Sequence, residues 1–178
     1  VTTLTKIGTG SADLISITGS GGQITIAETS APNFESLTFA NATNVIIQGA
    51  GGDDTFTMDA SANAHATAAG MATLQLDGDA GDELCTVVPP STFLLDLDGG
   101  SHTVRDELDL TGYPAGTGEM LVLSSPGNGK WTFTAEKEID FVNLEFHYDA
   151  LNVDVDLANA VPGVLPGDVT VTITLTNE

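Results

Sequence analysis

Residues 49–56 read GAGGDDTF and follow the apolar run NVIIQ (44–48). Two adjacent carboxylates, Asp53 and Asp54, behind three glycines offer hard oxygen beside a backbone that can turn its carbonyls outward, which is the chemistry of calcium ligation. The same residues could instead form an acid–base pair or a solvated turn. Three other stretches share the pattern: GTGSADLISI with Asp13, DGDAGDELCTV with Asp82 and DGGSHTVRDELDL with Asp106. In each, the aspartate stands two residues before a large apolar residue that opens a strand: Ile15, Phe56, Leu84 and Leu108. The candidate calcium ligands are Asp53, Asp54, Asp79, Asp82, Asp98 and Asp106.

The elements that must position these carboxylates are strands. Alternating or β-branched runs recur as LISIT (14–18), QITIAET (23–29), SLTFA (36–40), NVIIQ, TFTMD (55–59), ATLQLD (72–77), LCTVV (84–88), TFLLDLD (92–98) and ELDLT (107–111), and continue with EMLVLS, KWTFTA, NLEFHYDALNVDVDL and DVTVTITLTNE. Gly, Asp, Ser, Asn and Pro separate them, as in an all-β chain. DASANAHATAAGMA (59–72) has helix-like composition without an apolar stripe and reads as a loop with one helical turn. The last two intervals between the repeated aspartates each fit one coil of about 20–30 residues, and the first holds two shorter ones. Coils stacked at about 4.8 Å would bring the aspartates into a ladder whose like charges require a cation between them.

The fold expected is therefore all-β, an irregular right-handed parallel β-helix or solenoid with a more antiparallel C-terminal part; the alternative is a β-sandwich. Residues 1–160 form the solenoid domain. VPGVLPGD opens a linker and terminal strand (161–178) with an edge suited to pairing with a neighbouring module or an identical subunit.

Charge narrows the partners. Four Lys+Arg stand against 25 Asp+Glu, a net charge of -21, so most carboxylates have no cationic partner in the chain. Nucleic acid and anionic membrane surfaces are excluded, because both require a basic footprint. No run of about twenty apolar residues exists to insert in a bilayer. The chain opens on VTTLTKIG without a charged and then apolar leader, so an export signal is expected to lie outside it. The lone Cys85, in the apolar run LCTVV, reads as a buried thiol.

The four turns resemble the hemolysin-type, or repeats-in-toxin, calcium-binding motif G-G-x-G-x-D-x-U-x, in which U is a large apolar residue. GAGGDDTFT carries Gly49, Gly52, Asp54 and Phe56 at the matching positions, with Ala50 in place of the second glycine. DGDAGDELC keeps Gly78, Asp82 and Leu84, GTGSADLIS keeps Gly8, Asp13 and Ile15, and the copy ending at Asp106 is longer. The resemblance spans roughly residues 8–112 and, without tandem nine-residue repeats, is similar to the degenerate form in large secreted bacterial surface proteins. LPGDVTVTITLTNE likewise resembles the start of a bacterial surface repeat. The resemblance implies calcium as cofactor and an extracellular, cell-surface location.

Catalysis has little to work with. His65, His102 and His147 are scattered without a nucleophile motif. Lys6, Arg105, Lys130 and Lys137 are too dispersed to neutralise a uronate in a lyase. The function expected is a non-enzymatic structural or adhesive module of a bacterial surface layer, filament or adhesin. The competing reading is a calcium-dependent carbohydrate-binding module in which Trp131 and Tyr113 hold a polysaccharide, and the third is a lyase-like enzyme.

Overall fold

A computed structural model describes residues 2–29, 35–110, 112–113 and 118–144, together with the backbone of 146–148. In chain order the elements are β1 (Thr3–Ile7), β2 (Leu14–Ser20), β3 (Gln23–Glu28), β4 (Leu37–Phe39), β5 (Asn44–Gln48), β6 (Thr55–Met58), the helix α1 (Ala60–Ala66), β7 (Thr73–Asp77), β8 (Leu84–Val87), β9 (Leu94–Asp98), β10 (Glu107–Asp109), β11 (Met120–Ser125), β12 (Asn128–Thr132), β13 (Ile139–Val142) and β14 (Phe146–Tyr148). The described residues are all-β apart from α1. Strands β1 and β13 were not among the expected runs, and the proposed boundary at 161 lies outside the described residues.

Two seven-stranded sheets form. One has the order β1-β5-β7-β9-β13-β12-β11 and the other β14-β10-β8-β6-β2-β3-β4. The chain crosses from the first sheet to the second five times, as β1 to β2, β5 to β6, β7 to β8, β9 to β10 and β13 to β14. Each such pair is one rung, and successive rungs pair in parallel in both sheets. The antiparallel strands lie at opposite ends. The first sheet runs on past the fifth rung through β12 and β11, whereas the second runs on past the first rung through β3 and β4.

Alternation fills the space between the sheets, because residues two apart on a strand face the same side. In-register stacks of Val45, Leu74, Leu95 and Ile139, and of Ile47, Leu76, Leu97 and Phe141, line the first sheet. Ile15, Phe56, Cys85 and Leu108 line the second. Burial pushes the Cys85 thiol up to about 12, with the Glu83 and Asp106 charges adding to it. That matches the expected inert thiol.

Helix α1 is longer than the single turn expected. Asp59 caps it, its Oδ1 accepting from Ser61 N at 2.9 Å and Ala62 N at 3.3 Å. Its buried face is Ala62 and Ala66, and Gly19 of β2 lets it approach so closely that a Cβ there would meet His65 Cβ at 2.9 Å. Small residues replace the missing apolar stripe because the helix lies directly on the sheet. No helix among the described residues is long and apolar enough to cross a membrane.

Candidate functional site: an acid row inside the tight corner

Four of the five passages from the first sheet to the second are short corners that open on a glycine and close on an acid. Gly8 leads to Asp13, Gly49 to Asp54, Gly78 to Glu83 and Gly99 to Asp106. All four acids are buried, at 0–1% exposure. Their carboxyl groups fold back over the glycine that opens the same corner. An ideal Cβ on Gly8, Gly78 or Gly99 would lie 2.6 Å from a carboxylate oxygen of Asp13, Glu83 or Asp106, and one on Gly49 would overlap Asp54 Oδ2. The glycines also stack on one another, Gly8 N donating to Gln48 O, Gly49 N to Asp77 O and Gly78 N to Asp98 O at 2.7–2.8 Å.

Strand register shows which acids are equivalent. Leu14, Thr55, Leu84 and Glu107 share a level on the second sheet, so the residues before them, Asp13, Asp54, Glu83 and Asp106, form the row. The third member is Glu83 and not Asp82 as expected, and the inward residue there is Cys85 and not Leu84. The cue was the constant spacing from glycine to acid at Gly8–Asp13 and Gly49–Asp54, which points to Glu83 when counted from Gly78.

The row is unevenly supplied with donors. Asp13 accepts from Thr9 N at 2.5 Å and Thr9 Oγ1 at 2.9 Å. Asp54 Oδ1 accepts from Asp13 N at 2.8 Å, and Asp106 Oδ1 from Glu83 N at 2.9 Å. Among the described residues no N–H or hydroxyl group reaches Asp54 Oδ2 or either oxygen of Glu83. A buried ionised carboxylate without donors is costly, so it takes up a proton instead. Burial pushes Asp54 up to about 7, opposed by the Asp13 amide and reinforced by the Asp13 charge. Glu83 is pushed up to about 8 by burial and by its hydrogen bond with the Asp106 carboxyl. Two carboxyl groups can share a hydrogen bond only when one is protonated. His102 Nδ1 lies 3.6 Å from Asp106 Oδ2.

A second set of carboxylates lies outside the same corner. Asp53 Oδ1 accepts from Asp82 N of the next rung at 3.1 Å. Asp82 Oδ1 in turn gathers Thr103 N at 2.8 Å, Val104 N at 2.7 Å and Arg105 N at 3.3 Å, which hold the longer corner before Asp106. These bonds keep Asp82 below the usual carboxylate range, Val104 N contributing most. Asp79 Oδ2 accepts from Ala50 N at 3.1 Å. Asp98 Oδ1 accepts from Gly100 N at 3.0 Å and Asn143 Nδ2 at 2.9 Å.

The six expected ligands thus divide: Asp54 and Asp106 belong to the interior row, while Asp53, Asp79, Asp82 and Asp98 bridge neighbouring turns from outside. The interior oxygens are packed against glycine, and among the described residues no group of three or more His, Cys, Asp or Glu side chains is arranged to hold a metal ion. The corner clamps one rung to the next through carboxylate–amide bonds.

Trp131 is 4% exposed and belongs to the core, so its ring offers no face to a sugar. Tyr113 is half-buried with its ring edge-on to Phe133, centroids 5.4 Å apart. A groove of about 360 Å³ lies elsewhere, lined by Asp96, Asp98 and Asp140 together with Leu97, Phe141 and Val142 among others. Comparison with protein-family models, with curated proteins and with solved structures returned no match.

Proposed function

We propose that this chain is a non-enzymatic structural or adhesive module of an exported bacterial surface protein, a right-handed parallel β-solenoid used for its rigidity. The observation that carries this reading is the glycine–acid contact repeated on four successive rungs. The corner residues are spent on joining one rung to the next. The turns' resemblance to repeats-in-toxin motifs and the net charge of -21 support an extracellular setting. Calcium enters as a counter-ion of the outer row, Asp53, Asp79, Asp82 and Asp98, and not as a chelated ion, because carboxylates crowded at one edge gain most from divalent screening.

Calorimetry in millimolar calcium, in sodium chloride of equal ionic strength and in EDTA tests the counter-ion. Calcium is expected to raise Tm above the sodium control by a few degrees, and an unchanged Tm would remove it from the reading. Glycan-array binding, or release of unsaturated uronates from acidic polysaccharides, would overturn the structural reading itself. In the first case the site to examine is the groove at Asp96, Asp98 and Asp140, since Trp131 is enclosed.

A further inference from the structure

The two sheets do not end together. Beyond the five shared rungs the first sheet overhangs by β12 and β11 at one end, and the second overhangs by β3 and β4 at the other. The overhangs have equal numbers of strands and lie on opposite sheets, so the two ends have the shapes of the two halves of a lap joint. Strand direction agrees as well. β11 is antiparallel to β12 and β12 to β13, so β11 runs with β13 and with the rungs. By the same double reversal β4 runs with β2.

We propose that the molecule joins end to end with a second copy of itself, β11 of one copy pairing in parallel with β1 of the next while β14 pairs in parallel with β4. This rests on the structural reading above and adds its partner. Advancing a copy by seven strand positions satisfies both pairings at once. The repeat is then about 34 Å at roughly 4.8 Å per strand. Such a contact is heterologous and does not close, so it propagates.

The chemistry of the end strands favours this. Their sequences, TLTKI, LTF, MLVLSS and FHY, contain one formal charge, Lys6, in a chain that carries 25 carboxylates. Edge strands that must stay single are usually guarded by charge, proline or bulges. Here the guards are Lys6 on β1 and a register irregularity between Leu123 and Ser125 on β11, and large apolar side chains concentrate on the same two strands. Among the described residues eight large apolar side chains are exposed, and four of them lie on the terminal strands of the first sheet: Ile7 on β1 at 57%, and Met120, Val122 and Leu123 on β11 at 58%, 39% and 57%.

The test uses the full chain in sedimentation velocity and negative-stain microscopy across micromolar to submillimolar concentrations and rising salt. Filaments with an axial repeat near 34 Å are expected, growing longer as salt screens the like-charged copies. Val122→Lys blocks the β11 end and Ile7→Lys blocks the β1 end, so each variant alone should remain monomeric. An equimolar mixture should stop at dimers, because one free end of each kind remains. Leu94→Lys, on an exposed residue of β9, the middle strand of the first sheet, should leave assembly intact. A monomer under all conditions overturns the joint. Dimers that survive Ile7→Lys also overturn it, since they indicate symmetric β11–β11 pairing. A folded monomer without glycan binding sinks the joint and leaves the structural reading standing, whereas glycan binding or lyase activity sinks that reading itself.

Discussion

Glu83 N donates to Asp106 Oδ1 at 2.9 Å, and the Asp106 carboxyl adds to the burial that pushes Glu83 up to about 8. The Glu83 oxygens are buried without donors among the described residues, which favours a proton on that carboxyl. The folded state holds that proton, and a second on Asp54, at a pH where the unfolded chain has released both. Between the ordinary values of 3.8 and 4.5 and the folded values of about 7 and about 8, the native state therefore binds more protons, and stability falls as pH rises. This contribution is complete below the ordinary values and gone above the folded ones. Asp82 acts in the opposite sense, its stabilisation fading only as acid reaches its depressed range. Calorimetry is expected to give a Tm roughly 5–10 °C higher at pH 5 than at pH 8, a difference of a few kcal/mol. A Tm at pH 8 equal to or above that at pH 5 refutes the protonated row.

Glu83→Gln supplies an N–H where the protonated acid supplied an O–H, without a charge to bury. It should raise Tm at pH 8, change it little at pH 5 and so flatten the profile. The gain at pH 8 is expected at about 1–3 kcal/mol. A loss of stability at both pH values would show that the carboxylate itself is required.

Neighbouring substitutions in one corner should have opposite signs. Gly49→Ala drives a methyl group into Asp54 Oδ2 and towards Gly78 O, with a cost of about 1–3 kcal/mol. Ala50→Gly relieves a non-glycine residue at φ 74° and should stabilise by about 0.5–1 kcal/mol after the added freedom of the unfolded chain is deducted. Gly10→Ala, with nothing within 4 Å of the added atom, should change stability by less than about 0.5 kcal/mol. Denaturant melts of the three variants check the ordering.

Asp82→Ala removes the acceptor shared by the amides of Thr103, Val104 and Arg105. Loss of such a cap loosens the segment locally and should speed trypsin cleavage after Arg105 roughly five-fold. An unchanged rate at Arg105 would show that the segment is held by other contacts.

Trp131 is the chain's one tryptophan and is enclosed, so native emission should be blue-shifted and poorly quenched by acrylamide. Oligosaccharides should leave it unchanged, whereas unfolding should shift it red. Strong quenching in the native state would place the ring outside the core.

The strand content was legible because alternation survives in almost every run, from LISIT to ELDLT. β1 and β13 escaped for different reasons. TLTKI carries a lysine and leaves Ile7 at an exposed edge, and IDFV is only four residues long, its burial alternating where the sequence pattern is too short to stand out. The acid row was nearly legible. Asp13, Asp54 and Asp106 were found through their distance to an apolar residue, and that rule slipped at Glu83, where Leu84 faces out and Cys85 faces in. Distance to the preceding glycine reflects the contact that matters, and only the folded corner revealed it. Burial of these carboxylates was not legible, since aspartate behind glycine reads as a wet turn.

Two kinds of connection alternate along this chain, and they tolerate change differently. The glycine–acid corner is tight on four successive rungs, and at the longest, 99–106, the surplus is tied down by Asp82. The return from the second sheet to the first varies freely, as the short link 88–93, a link carrying a helix at 59–72, or a path including a hairpin at 110–138. One edge of the column is therefore closed to revision and the other is open to it. Foreign loops, epitopes or whole domains introduced at the exposed positions 67–68 or 91–92 would hang from the permissive edge at heights set by the rung chosen, which makes the molecule a ruler on which inserts can be spaced.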